Sequence, residues 1–412
     1  MKKIFLLIIF SLTCAQANAD DYLKEKRTNI VRDLVEEYED ILSKENLSTF
    51  FQPKFSNYLV VDALDNYAYQ SSDKKNEYND TLATGRLLSS FNFNKKLAIN
   101  SQLTFDRVNN SDHNQRRQNS ASGGGDRSFE DEGIFIRELN VSYDTKKYAI
   151  LAGKFNLDFG TAWNWNRGIW TYEIANNYRQ TEKLGIGGIY RLGDAKKTGE
   201  YIFGFSSFMN DRKNLDNSLI TKRDSNQKSD ATPGDYRLLS SYVTSLDIKF
   251  DFDKREKLSY HFAYINLAVN QKMSTVIPQN IADQKGFVAG MNYKYPLSKS
   301  IGLDSLIEYV SMKNVGGNSN VSDNYFTANI IGRLNKNWNS TLGYSKQSRL
   351  QFAQNGYDQD LSEVSFGYEF DKNSFFDSFI VQVGYKNLRT NYKTSFDETN
   401  SLGVLARYAK GF

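Results

Sequence analysis

The stretch 258-LSYHFAYI-265 decides the fold: Leu258, Tyr260, Phe262 and Tyr264 fall on one side of it, and Ser259, His261 and Ala263 on the other. A period of two belongs to a strand, whose successive side chains point to opposite faces. The same period recurs in 361-LSEVSFGYEF-370, where Val364, Phe366, Tyr368 and Phe370 alternate with Glu363, Ser365 and Glu369, and again in 379-FIVQVGYK-386. From Tyr58 to Phe412 the chain is a run of about sixteen such segments, joined alternately by long polar loops and very short turns. Half-apolar strands in that number need an oily surrounding on one face and water on the other. A closed transmembrane antiparallel β-barrel supplies both.

The expected strands are 57–70, 81–94, 96–108, 133–145, 147–155, 184–192, 200–209, 236–252, 257–269, 286–296, 301–313, 323–334, 337–350, 359–370, 378–390 and 400–412. Tight connections fall around Lys95, Thr145, Lys254, Ser298 and Lys336, and long ones lie between them. With the N-terminus in the periplasm, every long loop falls outside the cell, which is the polarity such barrels show. The four prolines, Pro53, Pro233, Pro278 and Pro296, precede the first strand, sit in loops or end a strand. Proline cannot donate to a ladder, so a closed sheet requires that placement. Aromatic residues make up 14% of the chain, with 26 Tyr and 28 Phe, which suits strands and interfacial girdles. Mean hydropathy is low at -0.59 because only one face of each strand is apolar. A secreted β-sandwich would need a second hydrophobic layer, which the pattern does not provide.

Ahead of the strands, Lys2-Lys3, an apolar run from Ile4 to Leu12 and 17-ANA-19 read as a signal peptide (1–19) cleaved after Ala19, too short to span a bilayer. The single cysteine, Cys14, lies within it, in a poor context for lipidation, so no disulfide is expected in the exported chain. The whole chain carries 52 basic and 48 acidic residues, and losing Lys2 and Lys3 leaves 50 against 48. That balance gives nucleic acid no purchase. Residues 20–56 form a separate periplasmic segment. Ile30, Val31, Leu34, Val35, Tyr38, Ile41 and Leu42 recur there at helical spacing. The heptad is broken by Arg27 and Glu37, so a lone amphipathic helix is preferred over a coiled coil joining protomers of a homotrimer.

Two outer loops stand apart in composition. Residues 109–132 are polar and glycine-rich, and their 128-SFEDEG-133 reads as a solvated acidic patch rather than a cation site near lipopolysaccharide. The third outer loop (156–183) contains 160-GTAWNWNRGIWTYEIANNYRQTEK-183, with three of the four tryptophans. Left in water, Trp163, Trp165 and Trp170 would be costly. Folding the loop back into the barrel buries the rings and aims Asp158, Arg167, Glu173, Arg179 and Glu182 at passing solute. Alternation turns Arg86, Lys154, Lys249, Lys294, Arg333, Lys386 and Arg407 inward, with Asp106, Glu138, Asp247, Asp304, Glu308, Glu363 and Glu369. A pore selects by such a lining, and Arg86 and Lys154 are expected opposite the loop.

In three places the sequence resembles Gram-negative outer-membrane porins. These are the Gly153-Lys154 pair in 151-LAGKFNLDFG-160, the returning strand 183-KLGIGGIYRL-192, and the terminal Phe412. Among porins it is similar to the phosphate-selective-like and legiobactin-receptor-like groups. The resemblance implies a third-loop constriction, insertion beside lipopolysaccharide in the outer membrane, and recognition of Phe412 by the barrel assembly machinery. Lys410 departs from the pattern, which has an aromatic two residues before the terminal Phe; here Tyr408 lies two further back. The expected function is passive diffusion of small hydrophilic solutes, with no cofactor and no metal. The alternative is a substrate-specific uptake channel or siderophore receptor, although residues 20–56 are too few for a plug domain. A barrel-embedded hydrolase is more remote. Only His113 and His261 could serve as a base, and no serine motif adjoins His261.

Overall fold

A computed structural model describes residues 53–412 apart from 109–124, 165–167, 212–214, 216, 222, 224–232, 235–238, 254–255, 270–280, 299, 335–336, 352–355, 371–377 and 393. The signal peptide and the amphipathic segment, with Arg27 and Glu37, lie outside these residues. So do Trp165 and Arg167. The strands are β1 (Lys54–Ser71), β2 (Tyr78–Asn92), β3 (Leu97–Arg107), β4 (Arg127–Ser128), β5 (Glu132–Asp144), β6 (Tyr148–Phe155), β7 (Lys183–Asp194) and β8 (Gly199–Asn210). They continue as β9 (Ser241–Asp251), β10 (Lys257–Leu267), β11 (Gln284–Pro296), β12 (Gly302–Lys313), β13 (Val321–Arg333), β14 (Trp338–Gln351), β15 (Tyr357–Glu369), β16 (Phe379–Tyr392) and β17 (Phe396–Gly411).

Each long strand pairs antiparallel with its neighbours in sequence, and β17 pairs antiparallel with β1 to close the wall. At the seam Asn57 and Phe412 exchange both backbone hydrogen bonds, each at 2.9 Å. The two-residue β4 is an addition to the expected set: it runs parallel to β2 at Asp80 and Thr81, beyond the stretch from Gly85 that pairs with β3. The other strands make a closed barrel of sixteen. Closure leaves no unpaired edge, which a hydrocarbon solvent would not tolerate.

The faces are inverted relative to a water-soluble protein. In register across four strands, Leu342, Val364, Tyr385 and Leu402 form one row, and all four are exposed. The next row, Gly343, Glu363, Lys386 and Ser401, faces the interior. One residue along the chain exchanges the two solvents. Several strands run beyond their expected ends. The last begins at Phe396 rather than 400, because 396-FDETN-400 is polar yet pairs with β16 from Asn391 onward. Outside the bilayer the ladder no longer requires an apolar face, so hydropathy loses the strand before its hydrogen bonds end.

Candidate functional site

Alternation is broken at one glycine, and the break places the loop that follows. Along β6, Tyr148, Ile150 and Ala152 are exposed, so counting in twos puts Lys154 on the outer face, and the inward position expected for it does not follow from alternation. Gly153 has φ of +132°, and Lys154 instead turns in and is completely buried. A Cβ at position 153 would meet the Leu139 carbonyl oxygen at 2.4 Å, so glycine is required for space as well as for φ. Gly153→Ala is therefore expected to reduce the folded, heat-modifiable fraction on gels severely. Gly85→Ala, whose added methyl would meet its nearest neighbour at 3.6 Å, should assemble normally.

Lys154 does not reach solute. Its Nζ lies 3.1 Å from Glu182 and 3.2 Å from Asp211, and donates to the Leu215 carbonyl at 2.9 Å. Glu182 accepts from both terminal nitrogens of Arg223, at 2.7 and 2.6 Å, and Arg223 lies 4.0 Å over the Phe135 ring. Burial alone would raise the Glu182 carboxyl. Hydrogen bonds from Arg223, and the charges of Arg223, Lys154 and Arg137, hold it instead at about 2. Of the residues expected along the pore, Lys154 and Glu182 thus pair with each other and anchor the two ends of the third loop.

Between these ends the loop runs along the inner wall. The Gly160 N–H donates to Nε2 of His261 on β10 at 3.2 Å. Thr161 N–H and Oγ1 donate to Glu308 on β12 at 2.6 and 2.8 Å, joined by Ala162 N–H at 3.1 Å and by the Tyr178 hydroxyl. Ile169 and Trp170 N–H donate to Glu363 on β15 at 2.6 and 2.8 Å. Backbone donors that a soluble loop would give to water are given to inward carboxylates, which compensates both partners for burial. Trp170 is 4% exposed and packs on paired Gly384 and Gly403; a Cβ on the latter would come within 2.5 Å of its ring. Trp163 is partly buried and donates from Nε1 to the Phe159 carbonyl at 3.1 Å. Phe155, Leu157, Phe159, Ile169, Ile174 and Tyr178 complete an apolar core with inward side chains of the wall. Of the described tryptophans of the loop, Trp170 is thus buried and Trp163 partly so.

The opposite side of the loop is charged. Glu173 pairs with Lys386 at 2.8 Å, and that Nζ lies 5.3 Å from the Trp170 ring centre. Arg407 on β17 grips Asp62 on β1 with two bonds of 2.7 and 2.8 Å, and Arg137 on β5 reaches Asp106 at 3.3 Å. Arg86 feels the charges of Asp62, Arg407, Arg137 and Asp106, and Arg179 those of Arg137, Asp106 and Glu182. Among the described residues, neither the Arg86 nor the Arg179 guanidinium makes a hydrogen bond or ion pair. Burial, with the charge of Arg137, lowers the Arg179 guanidinium to about 10, so it remains cationic near neutral pH. Burial, with Asp62 and Asp106, pushes the Tyr172 hydroxyl up to about 12.

Asp158 stands beside His261, with Asp158 Oδ1 4.0 Å and Asp247 Oδ1 2.9 Å from Nδ1. Because Nε2 accepts from Gly160, the ring proton sits on Nδ1 and is donated to Asp247. This tautomer offers no Nδ1 lone pair to a cation, although the three groups are close enough to suggest a metal site. Asp62, Arg137 and Arg223 were not singled out from the sequence. Asp62 follows from alternation with Val61 and Ala63. Arg137 is the extra residue of a bulge, where Gln102 and Leu103 face Glu138 and Ile136, so counting in twos passes over it. Arg223 belongs to another loop, and no local pattern announces its partner.

No family model matches the chain, and no curated protein is a match. Among solved structures, the outer-membrane channel DcaP of Acinetobacter baumannii is similar at 13% identity, covering 88% of this chain and 99% of that one with a TM-score of 0.50. OccAB1 of the same organism is similar at 9% identity over 89% of this chain and 99% of that one, with a TM-score of 0.47. The likeness is one of fold. It extends to the closed sixteen-stranded barrel, whose apolar face is turned outward, as a membrane-spanning wall requires.

Proposed function

We propose that this protein is a passive outer-membrane channel for small hydrophilic solutes, that residues 156–183 form its constriction, and that the constriction favours anions. One observation carries the reading. The loop is fastened to the wall through His261, Glu308 and Glu363, while the guanidinia of Arg86 and Arg179, which have no hydrogen-bond or ion-pair partner among the described residues, sit near Asp62, Asp106 and Arg137 of β1, β3 and β5. A fixed charge beside a low-dielectric wall acts with little screening, so two uncompensated cations raise the local concentration of anions. Asp106 and Glu173 also lie here, but each already accepts a cation. No catalytic step is assigned, since His261 commits Nδ1 to Asp247 and Nε2 to Gly160.

The test is the reversal potential of the purified protein in planar bilayers under a potassium chloride gradient. The wild type is expected to be anion-selective, and Arg86→Gln with Arg179→Gln to lower the chloride-to-potassium permeability ratio several-fold. A ratio unchanged by both substitutions would place the conducting path elsewhere. Conductance that saturates with one anionic solute would move the reading to a substrate-specific channel.

A further inference from the structure

We propose that His261 is a proton-operated catch that holds the descending limb of the inner loop and releases it on acidification. The proposal rests on the channel reading only for its effect on conductance; the catch itself is a matter of geometry. His261 is 2% exposed, and its Nε2 is the acceptor for Gly160 N–H. Gly160 is the corner at which the loop turns onto the wall, with φ of +78°, and the Glu308 contacts begin at the next residue. Nε2 can accept only while the imidazole is neutral. A second proton makes Nε2 a donor facing another donor, so the bond to Gly160 must break.

The surroundings supply a new position for the limb. Facing the ring are Asp247 from β9 and Asp158 from the loop itself, with Glu308 of β12 and the Tyr178 hydroxyl on the far side of Gly160. β11 presents Gly290 opposite His261 and adds no charge there. An imidazolium keeps Asp247 and attracts Asp158, whose side chain is 41% exposed and whose carboxylate lies 4.0 Å from the ring. The limb is then drawn by Asp158 instead of being held by Gly160. The Glu308 and Glu363 contacts do not depend on this proton and keep the rest of the loop in place. One proton on one ring nitrogen is enough to turn the acceptor for Gly160 into a donor, so a single site suffices for the response.

Two measurements test the catch. Trp163 bonds to Phe159, next to Gly160, so tryptophan emission of the folded protein in micelles should show a reversible transition between about pH 8 and 5. Single-channel recordings over the same range should show closing events becoming several-fold more frequent at the acid end. His261→Gln, whose amide oxygen accepts from Gly160 at any pH, should abolish both. Should that variant fail to assemble, Asp158→Asn on the exposed loop should move the fluorescence midpoint to lower pH, because it removes a charge that stabilises the imidazolium. A transition lost in His261→Gln with flat wild-type conductance supports the catch and counts against the loop as the constriction. A wild type with no transition, or a transition that survives His261→Gln or is unmoved in Asp158→Asn, overturns the catch.

Discussion

Replacing residues 163–176 by a short glycine–serine linker is expected to raise single-channel conductance several-fold. The removed segment carries Ile169, Trp170 and Ile174 of the interior core and both N–H donors to Glu363. Nothing in the wall depends on it for pairing, because every long strand is hydrogen-bonded to two others. The barrel should therefore assemble, with its core replaced by water and with Glu363 and Lys386 returned to solvent. Anion preference should fall as the lumen widens, since fixed charges then act through more water. If conductance is unchanged while the variant remains heat-modifiable, ions do not pass beside this loop, and its tryptophans serve only to fill the barrel.

The wall was legible in the sequence because its code is local: a period of two, with a turn whenever the period stops. Even inward residues far apart in sequence, such as Glu308, Glu363 and Arg407, follow from counting along single strands. In the third loop, the burial of Trp170 and the partial burial of Trp163 accord with the cost of leaving tryptophan wet. The loop's contacts were not legible. Whether Glu363 meets solute or the Ile169 N–H depends on register among strands separated by nearly two hundred residues. Gly153-Lys154 was recognisable as a pair, but its φ turns the lysine into a buried anchor for Glu182 instead of a pore charge. Glu182 reads as a loop carboxylate until Arg223 arrives from the next outer loop. Alternation fails where backbone geometry departs from it, at the Gly153 kink and the Arg137 bulge, and those departures set the charges around the loop.

Asp62→Asn should lower stability and change selectivity together. Asp62 and Arg407 form a two-pronged pair across the β1–β17 seam, each side chain 10% exposed. Removing one partner of a buried pair leaves a desolvated charge and costs about 3–5 kcal/mol, far more than the intact pair contributes. The penalty falls where the first and last strands close the barrel, so unfolding by urea in micelles should shift to clearly lower denaturant. The same substitution removes a negative charge from the cluster of Arg86, Arg407 and Tyr172, so the folded fraction should become more anion-selective than the wild type. Combining it with Arg407→Gln separates the two effects. With both charges gone, most of the stability should return, because no buried ion is left alone, and the anion preference should fall back to or below the wild-type value. Non-additive recovery of this kind is the signature of direct coupling. Simple addition of the two losses would mean that the seam is held by its backbone ladder alone, and unchanged selectivity in Asp62→Asn would remove Arg407 from the pore.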